Sequence, residues 1–419
     1  MYGEINQPIS HPTPAPPDRP GPLAGVKVVE LAHEFGAFAG RLLADAGAEV
    51  TVVEPRGGAA QRGHGPFVDD VAGPERSLAW WAENAGKHSV IADLTTPDGR
   101  AKVAELVANA DVFLECEAPG VLAAMSLDYD DLSASHSDLI HVAITPFGRQ
   151  SEGGTANVTD LTLLARSGPM WSCGYDDHDL PPVRGRGNQG IRMGAHFAVL
   201  SVLTALLARP RHGGQFIDVS MNAAANVTTE FASYGWMAAQ ATVQRQTGRH
   251  ATPTPSEPTQ VRCADGRYLN TGVPPRRGHE FRALLELIQE LGLGEEFAMT
   301  PLLEMGVDYD IITLGMIEED PLAGEIFHAG RQAMAFIAAN ISAHEAFLSF
   351  QQRGIACGVV WSPEETMGDP HFVERGFKTE VYHEDLDRTV VYPGPAIRFT
   401  RSPMRIRDRA PFLGEHDRD

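Results

Sequence analysis

The sequence predicts an α/β protein with two domains: a large domain built on a doubly wound parallel sheet, and a smaller α+β domain. Three observations predict it. The chain has 419 residues, and at roughly 100 to 200 residues per domain this length suits two or three domains. Apolar strands alternate with helical patterns over the first 150 residues. From about residue 226 the alternation is replaced by helices mixed with isolated strands.

The first strand–helix–strand unit opens the ordered part of the sequence. The run VKVVEL (26–31) is typical of a buried strand, GAFAGRLLADAG (36–47) has helical spacing, and AEVTVVEP (48–55) is a second strand. Short crossovers of this kind produce parallel sheet. The pattern repeats over residues 88–148, with the strand HSVIADL, the helix GRAKVAELVANA, and the strands DVFLEC and LIHVAITPFG. The first 150 residues therefore predict an open, Rossmann-like sheet.

The later elements follow from the same patterns. Residues 191–208 are apolar on nearly every side, which predicts a fully buried helix. FIDVSM (216–221) is a further strand. Beyond it, the helical runs EFRALLELIQEL and AFIAANISAHEAFLSFQQ alternate with the strands GRYLNT, ACGVVW, KTEVYH and RTVVYP. We interpret this part as a separate α+β domain, joined through the polar, proline-containing segment 242–260.

Composition excludes several functional classes. Acidic residues exceed basic ones by 55 to 34, giving a formal charge of −21, so we expect no nucleic-acid and no membrane-surface partner. The longest uncharged apolar run, Phe197 to Ala208, is too short to span a bilayer. Four scattered cysteines without CxxC, and histidines without ligand spacing, predict reduced thiols, a cytoplasmic location and no metal site. The N-terminus does not resemble a signal peptide.

Three local features carry candidate chemistry. GRGNQG (185–190) matches GxGxxG, but a loop precedes it where a dinucleotide site needs a strand. Asp160 lies at a predicted helix start, where it is either a helix-terminal acid or, if it faces a cleft, an acid/base group. Lys87, just before a strand, is either an exposed lysine or a cation that meets a phosphate.

Many runs in order resemble the family III CoA-transferases, which include formyl-CoA transferase, carnitine CoA-transferase and α-methylacyl-CoA racemase. The matching runs are GPLAGVKVVEL, LLADAGAEVTVVEP, NAGKHSVIADLTTPDGR, ADVFLECEAPG, LIHVAITPFG, LTALLARPRHGGQFIDVSM, DGRYL, RGIACGVVWSPEE and RAPFLGEH. The resemblance implies that the C-terminus returns to the large domain and that two chains interlock as a dimer. The predicted division is a disordered, proline-rich arm (1–20), the large domain (21–225), the small domain (226–394) and the C-terminal return (395–419).

The resemblance also implies a mechanism. In the family, an aspartate carboxylate attacks the acyl-CoA thioester to give a mixed anhydride, and the freed CoA thiolate then forms an enzyme thioester that an acceptor acid captures. The family's aspartate position falls here on Gly190 or Ile191, and the surrounding run GRGNQGIRMGA contains no carboxylate. The racemases' His-Asp pair falls on Thr159 and Asp160, so the histidine is absent. Asp160 is therefore the one catalytic candidate.

The resemblance places coenzyme A and acyl-CoA as substrates rather than as bound cofactors. The family run Glu-Asn-x-Arg-Pro-Gly appears as ECEAPG (115–120), without the asparagine and the arginine. His33, at the end of the first strand, is predicted at the mouth of the site or as a satisfied strand-end histidine. The predicted CoA-binding residues are His33, Arg56, Lys87, Ala92, Asp93, Leu94, Thr95 and Cys116.

Three functions remain open at this level. The first is a CoA-transferase acting on an acyl-CoA and a bulky or hydrophobic carboxylic acid, with catalysis rearranged around Asp160 or completed by another chain. The second is a non-catalytic subunit of a heteromer, whose similar partner chain carries the aspartate. The third is an acyl-CoA racemase or isomerase with Asp160 as its base. The first and third are compatible with a homodimer, whereas the second requires a second kind of chain.

Overall fold

The computed structural model describes residues 19–151 and 157–417, and contacts divide the chain into two compact units. Unit 1 comprises the described residues up to Met170, together with Arg184–Ser233 and the residues from Met367 onward. Unit 2 comprises Trp171–Val183 and Tyr234–Thr366. The predicted arm (1–20) lies outside the described residues except for its last two positions.

Unit 1 contains the parallel sheet. Its strands are β1 (Lys27–Leu31), β2 (Glu49–Glu54), β3 (His88–Ile91), β4 (Val112–Glu115), β5 (Ile140–Thr145) and β6 (Gln215–Ser220). Its helices are α1 (Ala37–Asp45), α2 (Leu78–Asn84), α3 (Pro97–Ala108), α4 (Tyr129–Ser133), α5 (Asp160–Ser167), α6 (Gln189–His212) and α7 (Met221–Val227), and α8 (Glu230–Ala239) contains the division between the units. Short 3-10 helices lie at Ala60–Gly63, Val68–Asp70 and Ala123–Met125.

The six strands are all parallel, in the order β3-β2-β1-β4-β5-β6. Val28 in the central strand pairs with Val50 of β2 on one side and with Val112 of β4 on the other. The strand order reverses between β1 and β4, and ligands of open parallel sheets bind at the carboxyl ends of the strands where this reversal occurs. The predicted α/β class with a parallel sheet is confirmed.

Helices cover both faces of the sheet, which explains why its strands are apolar on both sides. One apolar core joins Val28, Val50 and Ile140 to α1 and α6, and a second joins Val29 and Phe113 to α3 on the opposite face. Successive residues of a strand point to opposite faces, so Val28 and Val29 belong to different cores.

α6 is the longest helix of unit 1, at 24 residues. By length and composition alone, α6 is long and apolar enough to cross a membrane. The uncharged run Phe197–Ala208, which is too short to span a bilayer, is only part of this helix, and α6 extends beyond the run at both ends. In the structure it lies between β5 and β6 in the chain, and Ala195, Ala198 and Val202 are buried in the core beside the sheet. Leu200, Leu203 and Leu207 are exposed, so the prediction of a fully buried helix is wrong. Its position is therefore that of a crossover helix.

Unit 2 is a helical core with small sheets. Its elements are β7 (Gln244–Gln246), β8 (Arg249–Thr252), β9 (Gln260–Arg262), β10 (Tyr268–Asn270), α9 (Gly278–Glu290), α10 (Thr300–Gly306), α11 (Leu314–Glu319), α12 (Pro321–Asn340), α13 (Ala343–Gln352), β11 (Gly358–Val359) and α14 (Pro363–Thr366). Three antiparallel strands run in the order β11-β10-β9. The predicted helical run 335–352 divides between α12 and α13, because Ser342 and Glu345 form a capping box that starts α13.

The last elements return to unit 1: α15 (Pro370–Glu374), β12 (Lys378–His383) and β13 (Arg388–Pro393). β12 and β13 form an antiparallel hairpin, and its Val381 and Tyr392 pack with Trp81 and Ile406. This division differs from the predicted boundaries, which assigned residues 378–393 to the small domain and 171–183 to the large one. The strand patterns in the sequence predict the hairpin itself. They do not predict that it packs against Trp81, which lies some 300 residues earlier in the chain.

Candidate active site

The carboxyl ends of β1 and β4 bring His33 and Cys116 to the point where the strand order reverses. The Nδ1 atom of His33 accepts a hydrogen bond from the Phe35 amide at 3.2 Å, and the two rings lie 4.5 Å apart. Burial lowers the pKa of His33, although Glu34 and Glu115 partly oppose this. Burial, together with Glu115, raises the pKa of the Cys116 thiol well above its usual value. Burial therefore disfavours the charged form of both side chains, and the Cys116 thiol is not an activated nucleophile.

Sequence reasoning gave no role to the charged network beside this edge. The Glu115 carboxylate accepts hydrogen bonds from the Glu117 amide at 2.7 Å and from the Arg149 guanidinium. Arg149 also donates to Asp128 at 3.0 Å. Burial raises the pKa of Glu117, with a further contribution from Glu115. Cys116 and Ala118 thus stand where the family run has Asn and Arg. The cation that contacts Glu115 is Arg149, which comes from a different segment of the chain.

A second group of predicted residues follows β2 and β3. Arg56, Ala92 and Asp93 line an open cavity of about 490 Å³, which Lys102 and Asp417 also line. Leu94 is half-buried and Thr95 is exposed in the turn that follows β3. The structure therefore brings five of the predicted CoA-binding residues to one sheet edge, and it adds a lysine and a C-terminal aspartate that lie far away in the sequence.

The charges in this cavity are partly available to a ligand. Arg56 is 81% exposed, and its Nε lies 3.9 Å from Asp93 Oδ2. Hydrogen bonds from the Thr95 hydroxyl and amide lower the pKa of Asp93. Lys102 Nζ lies 2.7 Å from Asp417 Oδ1. A guanidinium this exposed can meet an anionic group such as a nucleotide phosphate.

Lys87 does not join this group. It precedes β3 at the opposite end of that strand, and its Nζ is buried against both Glu30 carboxylate oxygens (2.9 and 2.8 Å), the Ala37 carbonyl and Asn84 Oδ1. Burial lowers the pKa of Lys87 and raises that of Glu30, and each partner opposes the other's shift. These acceptors occupy the ammonium group fully, so a role in phosphate binding receives no support from this placement.

Asp160 lies where α5 begins and contacts the start of α6. Its Oδ1 accepts hydrogen bonds from the amides of Gly190 (2.8 Å) and Ile191 (3.1 Å), and Arg184 Nη1 lies 3.4 Å from Oδ2. The residue is 6% exposed. A carboxylate at this place satisfies two of the free amides at the helix N-terminus and meets the positive end of the helix dipole.

The resemblance assigns the nucleophile to Gly190 or Ile191. In this structure the backbone amides of both residues instead donate hydrogen bonds to the carboxylate of Asp160. A Cβ on Gly190 would lie 3.3 Å from Asp160 Oδ1 and 3.0 Å from a Leu163 methyl carbon, so an acidic side chain there would crowd Asp160. The GxGxxG run forms the loop and first turn before and within α6, with no strand before it. Among the described residues, no group of three or more His, Cys, Asp or Glu side chains is arranged to hold a metal ion.

Comparison with known proteins gives consistent results. The family model "CoA-transferase family III" matches residues 23–417. The chain is 27% identical over 396 residues to the succinyl-CoA:(R)-benzylsuccinate CoA-transferase subunit BbsE of Thauera aromatica, covering 94% of this chain and 92% of that protein. It is 30% identical over 412 residues to a succinate–glutarate CoA-transferase of Agrobacterium fabrum, covering 96% and 95%. A CAIB/BAIF family protein from Brucella suis has the same fold, with a TM-score of 0.73 at 24% identity over 95% of this chain and 98% of that one.

Proposed function

Since this chain belongs to CoA-transferase family III, we propose that it takes part in moving CoA between an acyl-CoA thioester and a carboxylic acid, as the supporting subunit beside a similar chain that carries the nucleophilic aspartate. The observation that carries the proposal is the start of α6. Gly190 and Ile191 have no carboxylate there, and the Asp160 carboxylate accepts hydrogen bonds from their backbone amides.

A nucleophilic carboxylate needs a free lone pair directed at the thioester carbonyl carbon. Oδ1 of Asp160 already accepts two hydrogen bonds, Oδ2 faces Arg184, and the side chain is buried. The amides and the guanidinium stabilise negative charge on this carboxylate and so reduce its tendency to share electrons with a carbonyl carbon. Asp160 in this arrangement stabilises α6.

This chain retains residues that could bind the CoA part of the substrate. Arg56 and Lys102 line one cavity at the carboxyl edge of the sheet, and His33 lies at the neighbouring reversal point. In this role they would hold the nucleotide and orient the thioester, and catalysis would depend on the carboxylate of the second chain.

Several features favour an assembly. The Thauera relative is named as a subunit. Leu200, Leu203 and Leu207 are exposed on α6, and an apolar helix stripe of this kind is typical of a surface covered by another chain. The proposal therefore includes an interlocked dimer in which the partner is a similar, aspartate-bearing chain. It also includes a Rossmann-like large domain and a cytoplasmic location, as the sequence predicts.

A second candidate is a homodimer in which Asp160 itself is the nucleophile. The contact of its carboxylate with Gly190 and Ile191 favours this, because it lies at the place that the resemblance assigns to the family's aspartate. Arg184 would have to move before an Asp160 oxygen attacks the thioester carbon; the C–S bond then breaks and CoA leaves as the thiolate. A racemase or isomerase needs a second proton-exchanging group, and Thr159 stands where the family's histidine would be.

Native mass spectrometry of the protein purified from its own host tests the proposal. We expect a complex of the 45.2 kDa chain with a similar chain, and CoA transfer from succinyl-CoA only when both are present. A homodimer that transfers CoA by itself would contradict the proposal.

Asp160→Asn separates the two candidates, because the asparagine side-chain oxygen can still accept hydrogen bonds from the Gly190 and Ile191 amides but is no nucleophile. If Asp160 only stabilises α6, transfer by the complex is expected to change less than about 3-fold, whereas loss of a nucleophile costs about 1,000-fold or more. Hydroxylamine trapping followed by peptide mass spectrometry would show directly whether an acylated Asp160 forms.

A further inference from the structure

Unit 2 contains an open cavity of about 550 Å³. Its lining comes mainly from residues 172–174, from the β7–β8 hairpin between 246 and 250, and from the end of β10 and the residues after it, 270–273. Val183 and Thr259 also line it. The volume lies within the roughly 300–1,000 Å³ of small-molecule sites. None of the residues discussed above as predicted for catalysis or CoA binding lines it.

The walls are fixed by polar contacts that lie behind them. Arg249 pairs with Asp176 at 2.8 Å and also donates to Ser256, so it joins the segment 171–183 to the hairpin. Arg245 donates to the His178 and Leu180 carbonyls of the same segment. Asn270 donates to the Gly248 carbonyl and accepts from the Gly272 amide. The cavity is thus formed before any ligand arrives, which reduces the entropy cost of binding.

The lining itself is mainly apolar. Cys173, Val183 and Val273 contribute apolar surface to it. The side chains of Gln246 and Asn270 also line the cavity, and both are already hydrogen-bonded to neighbouring segments. His250 and Thr259 complete the lining. The charge of Arg249 is offset by Asp176, so the guanidinium is not free for a carboxylate. The Ser172 hydroxyl is buried and has no hydrogen-bond partner among the residues that the structure describes.

We infer that this cavity binds the carbon skeleton of the carboxylic acid that exchanges CoA, and that this skeleton ends in an aryl or branched alkyl group rather than in a second carboxylate. The inference rests on the proposed function for the identity of the ligand, and on the cavity for its apolar character. A second carboxylate would have to be desolvated beside an arginine that is already paired with Asp176, which disfavours a dicarboxylic acid.

Cys173 provides a reporter that needs no turnover. It lines the cavity and is exposed, whereas Cys116 and Cys263 are buried and burial raises the pKa of Cys357 to about 11. At pH 7.5 iodoacetamide should therefore alkylate Cys173 first, and peptide mass spectrometry gives its rate. The probes are phenylacetate, phenylacetyl-CoA, succinate and CoA alone.

We expect phenylacetate and phenylacetyl-CoA to slow alkylation of Cys173 by about 10-fold at saturation, and succinate and CoA at the same concentration to leave it unchanged. Protection by the thioester but not by the free acid would show that the cavity binds the acyl group only as a CoA ester. Equal protection by succinate, protection by CoA alone, or no protection by either phenylacetyl compound would overturn the inference.

Matched variants test the location. Val273 lines the cavity and is 61% exposed, and Val360 lies in the same unit, outside the cavity, at 47%. Because both side chains are exposed, tryptophan at either position should leave the fold intact. Val273→Trp is expected to weaken phenylacetate protection about 10-fold or more, and Val360→Trp to change it by less than about 2-fold. Equal effects of the two variants would also overturn the inference.

The two proposals can fail separately. If phenylacetate protects Cys173 but the protein transfers no CoA, either by itself or with a partner chain, the proposed function is wrong and the cavity is still an aryl-acid site. Transfer to dicarboxylic acids with no protection of Cys173 would keep the function and remove the cavity from it.

Discussion

The two units of this chain bury charge very differently. Among the described residues, ten Asp, Glu, Lys and Arg residues are buried as whole residues, and nine of these lie in unit 1; the exception is Arg245. Unit 1 places ion pairs such as Lys87–Glu30 and Arg62–Glu54 between its helices and its sheet. The core of unit 2 is built from leucine, isoleucine, alanine and phenylalanine.

The difference shows what each unit depends on. A buried ion pair is stable only while both partners remain, because desolvation of a single unpaired charge costs several kcal/mol. An apolar core depends instead on filled volume and tolerates substitutions of similar size. Unit 1 should therefore be sensitive to charge changes and to pH, and unit 2 to cavities.

The largest expected effect is that of Lys87→Met. It leaves the buried Glu30 carboxylate without its cation, so we expect a loss of about 3–5 kcal/mol of unfolding free energy in urea at neutral pH. Burial already raises the folded-state pKa of Glu30. A raised folded-state pKa favours folding when the group is protonated, and this stabilisation is lost as pH rises through that pKa. The destabilisation should therefore shrink on acidification.

Lys102→Met is the matched control, since Lys102 pairs with Asp417 at the surface and its loss should cost less than about 1 kcal/mol. The double variant Lys87→Met with Glu30→Met should recover most of the stability. Equal losses for the two lysine variants would contradict the view that buried charge distinguishes unit 1.

Leu284→Ala is the corresponding test in unit 2. Leu284 is fully buried in the core that α9 forms with α10 and α12. We expect a loss of about 2–5 kcal/mol from the cavity, with the same value at pH 5 and pH 8 because no charge is removed. Leu284→Met should cost less than about 1.5 kcal/mol. A strong pH dependence would remove the contrast between the units.

The C-terminal return of unit 1 should loosen in acid. A hydrogen bond from Arg409 lowers the pKa of Glu415. A lowered folded-state pKa stabilises the fold above the unfolded-state pKa, and the contribution is lost as pH falls through the folded-state pKa. Glu415→Gln should cost about 1 kcal/mol or less at pH 7. Calorimetry at a series of decreasing pH values should find that its difference from the unmodified protein shrinks as the solution becomes more acidic than the unfolded-state pKa; an undiminished difference would contradict this.

The smallest effect is expected for a surface pair of unit 2. Arg353 Nη2 lies 2.5 Å from Glu290 Oε2, and the Glu290 side chain is 60% exposed. Solvent screens such a pair, so Arg353→Ala should change the unfolding free energy by less than about 0.5 kcal/mol. A urea titration showing more than about 1 kcal/mol would mean that unit 2 also depends on charge.

The sequence alone determined the parallel sheet, the family resemblance and the absence of a carboxylate at positions 190 and 191. These follow from properties that neighbouring residues share: the apolar runs of β1 and β2, the helical period of α1, and the identity of each residue in a short motif. Local patterns also place Asp160 at a helix start, where it is found. They do not show which other helix its carboxylate contacts.

Only the tertiary structure decided the partners. It placed Lys87 against Glu30, 57 residues earlier, although an exposed lysine and a phosphate ligand were the two interpretations of its sequence. It joined Asp160 to the amides of α6, grouped the 378–393 hairpin with Trp81, and formed the cavity around Cys173 mainly from three separate segments. The physical reason is that burial and ion pairing depend on which distant segments meet, and hydrophobic periodicity fixes the face that a segment buries but not the residue that lies opposite it.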